Sequence, residues 1–138
     1  MLSKLHSRRS GFTLVEIMIV VAIIALLAAI AVPSFLRARK RSQGTATLET
    51  CRLIDAAKDQ YAIENGKGPG VTPDATDLTK YVKTGTKLYT DLAAGAAKDN
   101  LGRTITLNGV DVAPAVDATT KSDLADAVGG DEFWGAYK

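Results

Sequence analysis

Twenty consecutive residues without a charge, Ile17 to Leu36, constrain this chain more than any other feature. Built as an α-helix at 1.5 Å per residue, the run reaches about 30 Å, the thickness of a bilayer's hydrocarbon core. Its apolar residues are not confined to one stripe but go all the way round. A chain of 138 residues has too little mass to wrap so long an all-apolar helix in a soluble core. The length left over suits one modest globular domain and not two.

The flanks sharpen the reading. Residues 1–11 (MLSKLHSRRSG) are short and polar, with Lys4, Arg8 and Arg9 as cations. The run ends in RARKR, where Arg37, Arg39, Lys40 and Arg41 form a membrane-boundary basic cluster suited to a headgroup layer. A secretory signal peptide is one alternative, since a basic start precedes the apolar run and Ala29-Ile30-Ala31 matches a small-x-small cleavage site. Against it, the run exceeds the usual apolar core of such signals, and Glu16 sits at its start. A carboxylate at membrane depth is costly and calls for a partner or a purpose. An interfacial glutamate tolerated near a helix end is the simpler account. It leaves unexplained why Gly11 and Phe12 precede Glu16 at this spacing. Three cations before the helix and four after it give the positive-inside rule no clear vote on orientation.

The segment Gly11-Phe12-Thr13-Leu14-Val15-Glu16 resembles the processing and methylation motif of type IV prepilins and type II secretion pseudopilins. The resemblance is close over residues 8–36. It implies that a membrane peptidase cuts after Gly11, that the same enzyme methylates the new amine of Phe12, and that Glu16 attracts the amine of a neighbouring subunit during assembly. It implies as partners the prepilin peptidase and methyltransferase, copies of this chain and related pilins, inner-membrane assembly machinery and membrane lipids. It places the chain as a single-pass protein of the bacterial inner membrane, with residues 37–138 outside the cytoplasm, then in a periplasmic or cell-surface filament. Elementary electrostatics agrees: an amine and a carboxylate stranded in apolar surroundings relieve each other only by pairing. Such a pair would also fix the axial register between subunits. Pro33 removes one backbone donor inside the apolar run, so a kink is expected there, and in the family a proline here accompanies local loss of helix.

The expected layout is a leader at 1–11, a transmembrane or filament-core helix at 12–36, its amphipathic continuation at 37–65 and a small head at 66–138. The fold class is α+β and pilin-like, a long helix against a head with a β-hairpin or short antiparallel sheet. Leu48, Cys51, Ile54, Ala57 and Tyr61 recur three or four apart and make the stripe that would carry the head. Glu49, Arg52, Asp55, Lys58 and Asp59 take the other faces, and Gly44 is a weak point in the helix. Gly66, followed by Gly68-Pro69-Gly70, stops the helix. In the head, Leu78, Tyr81 and Val82 suggest a short helix closed by Gly85, and 91–97 is ambiguous. Arg103–Leu107, Asn108-Gly109 and Val110–Val116 read as a hairpin with Leu107 facing Val110 and Ile105 facing Val112. Thr120 is the expected N-cap of a helix ending at Gly129. The aromatic tail Phe133, Trp134 and Tyr137 is expected to fold back over the core.

Other chemistry finds little support. The only histidine, His6, lies in the expected leader, so no His-based catalytic set remains, and no cofactor loop has the required spacing. The chain does not read as an enzyme. A single cysteine, Cys51, permits no internal disulfide, and its place on the apolar stripe reads as a buried, inert thiol. Asp117, Asp123, Asp126 and Asp131 are weak calcium candidates: hard oxygen ligands suit the ion, and major pseudopilins bind it in their C-terminal region, but solvated acidic loops are the plainer reading. No nucleic acid is expected at RARKR. The paired C-terminal cysteines of many type IVa pilins are absent, and Asp99-Asn100-Leu101-Gly102-Arg103 loosely resembles a loop of major pseudopilins. The competing function is a secreted or membrane-tethered binding module that never polymerises.

Overall fold

The computed structural model describes residues 11–138. The cations Lys4, Arg8 and Arg9 and the histidine His6 lie outside the described residues. The chain divides between Leu36 and Arg37 into two compact units. Helix α1, Leu14–Asn65, contributes to both.

In the first unit every described residue from Gly11 to Leu36 is exposed. This stretch holds 16 of the 20 large hydrophobic side chains exposed among the described residues, from Phe12 to Leu36. The helix is unbroken through Pro33. One turn is reinforced by Ser34, whose hydroxyl donates to the Ala31 carbonyl at 2.9 Å. The single chain therefore shows no local melting at the proline.

The second unit is built on the rest of α1. Gly44, Thr47, Leu48, Cys51, Ile54, Ala57 and Lys58 are buried there, a stripe repeating every three to four residues. Leu78, Leu88, Leu92, Ala97, Ile105, Val116, Leu124 and Trp134 pack with the apolar members of that stripe into one core. Two positions differ from the sequence reading. Gly44 is a close-packing site: a Cβ there would lie 2.9 Å from Val128 Cγ1 and 3.2 Å from Phe133 Cε1. Lys58 is fully buried, not on an outer face. Its ammonium donates to the Val112 carbonyl and lies 3.8 Å from Asp55. Burial lowers its pKa, with Asp55, Asp59 and Asp111 opposing.

The head is made of short pieces. A 3-10 helix spans Asp77–Tyr81, α2 spans Lys87–Ala93, α3 spans Ala118–Val128, and a second 3-10 segment, Asp131–Tyr137, is kinked at Gly135. Helix α2 is capped by Thr86, whose hydroxyl accepts from Tyr89 N at 3.2 Å. It begins before the ambiguous 91–97 stretch and takes in its first three residues, and Gly95 follows its end. Helix α3 is capped by Asp117, not by Thr120: Asp117 Oδ1 accepts from Thr119 N at 2.8 Å. Thr120 lies inside the first turn and is buried. Gly129 closes α3 in the left-handed region at φ 90°.

The tight hairpin expected at Asn108-Gly109 does not form. Among the described residues there are two isolated antiparallel bridges, Lys98 with Thr104 and Thr106 with Ala115, and no extended strand. The second bridge moves the pairing four residues from the two-residue register. The loop opens because its middle is bonded elsewhere. Val110 N donates to the Val71 carbonyl at 2.9 Å, Asp111 Oδ1 accepts from Gly70 N at 2.7 Å, and Lys58 holds the Val112 carbonyl. Asn108 still adopts the positive φ, 55°, that the turn residues favour. The aromatic tail does fold back. Trp134 is buried, Phe133 meets it edge-on at 5.1 Å, and Val116 N donates to the Tyr137 carbonyl at 3.0 Å.

Candidate assembly and processing site

Gly11, Phe12 and Thr13 precede the first turn of α1 without helical structure. Phe12 is 83% exposed. A Cβ at Gly11 would meet nothing within 4 Å. Nothing within the described chain requires glycine at this position.

Glu16 is not left unpartnered. Its Oε2 accepts from Thr13 N and from Thr13 Oγ1, both at 2.8 Å, while Glu16 N donates to Thr13 Oγ1 at 3.2 Å. This is a capping box: Thr13 is the N-cap, Glu16 the third helical residue, and the two satisfy each other's backbone donors. The carboxylate also faces the positive end of the helix dipole. The signal was present in the sequence as Thr-x-x-Glu before an apolar run, yet Thr13 was not singled out there. Phe12, Glu16, Ile17, Ile19 and Val20 line an open hollow of about 320 Å³ on this surface. The site thus combines a charged acceptor, a free aromatic and uncovered aliphatic side chains.

The basic cluster after the apolar run is only partly free. Lys40 donates to Asp126 Oδ1 at 2.9 Å, and that contact holds the Asp126 carboxyl below its usual range. Arg37, Arg39 and Arg41 are exposed.

The acidic residues Asp117, Asp123, Asp126 and Asp131 are not brought together. Asp117 caps α3, and its bonds with Thr119 lower its pKa. Asp123 pairs with the Arg103 guanidinium, which raises the pKa of Arg103. Asp126 pairs with Lys40, and Asp131 lies in the first turn of the last 3-10 segment. Among the described residues no three His, Cys, Asp or Glu side chains are grouped to hold a metal.

Sequence reasoning passed over the role of Asp99, which is buried to 1% exposure. Its Oδ1 accepts from Leu101 N at 2.9 Å and Arg103 N at 2.8 Å, and its Oδ2 accepts from Thr120 Oγ1 at 2.5 Å. Asp99 thereby closes its own loop and ties it to α3, which also explains why Thr120 is buried. Cys51 is fully buried, and its thiol is pushed up to about 12, first by burial and then by Asp99 and Asp55.

Residues 6–32 match the family described as the prokaryotic N-terminal methylation motif. The type IV wide pilus major component PilA4 of Thermus thermophilus is 53% identical over 57 residues, 40% of this chain and 42% of that protein. The type IV major pilin protein PilE1 of Neisseria gonorrhoeae is 30% identical over 115 residues, 75% of this chain and 70% of that protein. The type II secretion system core protein G of Pseudomonas aeruginosa is 36% identical over 73 residues, about half of each chain (53% and 51%). The chain spans less than half the length of some of these relatives, 42% of the Thermus protein and 30% of the type IV major pilin protein PilA of Myxococcus xanthus. No solved structure matches it. A methylation motif at residues 6–32, with a gonococcal pilin 30% identical and aligned over 70% of its own length, means that the chain belongs to the type IV pilin and type II secretion pseudopilin family.

Proposed function

We propose that this protein is a structural subunit of a type IV pilus-like or type II secretion pseudopilus filament. It is made as a membrane-inserted precursor, cut after Gly11, methylated at Phe12 and polymerised through its N-terminal helix. The single observation that carries this reading is the uncovered helix from Leu14 to Leu36. Its 18-residue apolar window has a mean hydropathy of 3.0, and none of it is buried within the chain. Such a surface is not stable in water. Lipid covers it before assembly, and equivalent helices of other copies cover it afterwards.

The local geometry supports the individual roles. Gly11 is free of any packing need of its own, so its small size serves a peptidase groove. Phe12 lies in exposed, non-helical chain where an enzyme can reach it. Glu16 is held by Thr13 in the single subunit, which lowers the cost of keeping a carboxylate at the membrane surface. In the filament the methylated amine of a neighbouring Phe12 takes over as its partner. Exposed Arg37, Arg39 and Arg41 meet lipid headgroups at the outer face of the membrane. The leader stays in the cytoplasm, and the peptidase and the inner-membrane assembly machinery are the partners. The pilins and secretion-system core proteins it resembles favour a structural role over an enzymatic one.

Mass spectrometry of the mature protein tests this. The expected N-terminus is methylated Phe12. A start at Val32 would mean ordinary signal-peptide processing and would overturn the reading in favour of a secreted binding module.

A further inference from the structure

Positive charge is densest where α1 leaves its apolar run. Arg37, Arg39, Lys40 and Arg41 follow directly on Leu36, and no acidic residue lies between Glu16 and Glu49. The guanidinium groups of Arg37, Arg39 and Arg41 are exposed and enter no ion pair among the described residues. Residues 1–10 contain no acidic side chain that could serve them. Lys40 differs: it is half-buried, and its ammonium meets Asp126 of α3 at 2.9 Å.

Helical geometry accounts for the difference. Lys40 lies one turn before Gly44, the position that closes on Val128 and Phe133, so it faces the head and Asp126 takes it. At about 100° per residue, Arg37 and Arg41 lie about 40° apart and Arg39 about 160° from each. The three arginines therefore surround the helix and do not line one face of it. From Arg37 to Arg41 the helix rises about 6 Å, and the headgroup layer on one side of a bilayer is about 5–8 Å deep. The uncovered apolar window of the same helix sets the level of that layer. A sheet of headgroups pierced by the helix reaches all three arginines at once. A nucleic-acid strand or an acidic peptide lies along one face and does not.

We infer that Arg37, Arg39 and Arg41 form a collar that selects anionic phospholipids, and that Asp126 withholds Lys40 from it. This rests on the membrane-inserted reading above and names the class of lipid. A guanidinium holds a phosphodiester through two N–H donors. A zwitterionic headgroup offsets its phosphate with its own ammonium, whereas phosphatidylglycerol leaves the charge for the collar to answer. Asp126 then sets the strength of the selection: releasing Lys40 adds a fourth cation at the same depth.

The test is native mass spectrometry of the full chain released from mixed micelles holding equal amounts of phosphatidylglycerol and phosphatidylcholine with matched acyl chains. The native chain should retain phosphatidylglycerol over phosphatidylcholine by at least about fivefold. Arg37→Gln, Arg39→Gln and Arg41→Gln together should bring the ratio to about one. Equal retention by the native chain overturns the inference, as does a preference that survives the triple variant. If the triple variant is not recovered folded, the Lys40 pair decides. Asp126→Asn should raise the preference at least about twofold, and Lys40→Gln should leave it where it was; any other pattern overturns the inference. Retention of a single-stranded DNA oligonucleotide without lipid preference would give the collar to nucleic acid and overturns it too. The measurement needs no filament, so a chain that selects phosphatidylglycerol but never polymerises overturns the filament reading alone. A chain that carbonate washing strips from membranes overturns the membrane-inserted reading and this inference with it.

Discussion

The two stretches of α1 have similar backbones and opposite surfaces. From Leu14 to Leu36 no side chain is covered, whatever its polarity. From Gly44 to Lys58 the helix buries one or two residues in every turn against its own head. The difference lies in where the partner comes from. The later stretch carries a stripe, so one small head can cover it and leave the polar faces to water. The earlier stretch is apolar all round, so no single small domain could cover it and cover must come from lipid or from other copies. The exceptions in each stretch follow the same logic. Glu16, the carboxylate of the uncovered stretch, is satisfied within its own first turn. Lys58, the cation of the covered one, is satisfied by a carbonyl of the head it carries.

Variants at five positions test this contrast, in decreasing order of expected effect. Glu16→Gln keeps the shape of the capping box but removes the charge that a neighbour's amine would answer. Filament yield should fall more than about tenfold, read by shearing and immunoblotting, while the head's unfolding midpoint stays put. Trp134→Ala acts on the other stretch's partner. Removing this buried ring should destabilise the head by about 3–5 kcal/mol, seen in denaturant unfolding followed by circular dichroism. Processing after Gly11 should be unaffected, as seen in the mass of the mature chain.

Gly44→Val tests the close approach of helix and tail. The added side chain would press on Val128 and Phe133, with an expected loss of about 1–3 kcal/mol by the same measurement. The corresponding change at Gly11 meets no neighbour and should leave stability unchanged while blocking cleavage. The last effect concerns Cys51. Folding raises its pKa from 9.0 to about 12, so the thiol's contribution is fully present below pH 9 and is lost as pH climbs toward 12. Above pH 9 the native protein should weaken more steeply than Cys51→Ala. In the same range Lys58, whose pKa is lowered, pushes the other way as pH rises toward 10.5 in both chains. Its influence cancels in the comparison. Native Cys51 should also resist alkylation at pH 8 by at least about a hundredfold relative to the unfolded chain.

What could be read from the sequence follows the same division. The apolar run and the Leu48, Cys51, Ile54, Ala57 stripe were legible because helical periodicity depends only on spacing along one element. Lys58 was misplaced because its burial depends on a carbonyl 54 residues away. The hairpin at Asn108-Gly109 had the right turn residues, but Val71 and Lys58 claim backbone bonds its strands would have exchanged, and Gly70 holds the Asp111 side chain. The cap of α3 slipped from Thr120 to Asp117 because Asp99 draws Thr120 inward. At the proposed processing site the order was reversed. Gly11, Phe12 and Glu16 stood out through a family resemblance, while Thr13, whose role is local and physical, became visible only with its hydrogen bonds.

The central claim is that the helix bare in one subunit is covered by other copies in the filament. The direct measurement is maleimide labelling of Ile24→Cys in a Cys51→Ala background, compared between detergent-solubilised subunits and assembled filaments. Ile24 is among the exposed side chains of the uncovered stretch. The account predicts labelling by a membrane-permeant maleimide in the detergent-solubilised subunit, and protection by at least about tenfold in the filament. Equal labelling in both states would contradict it.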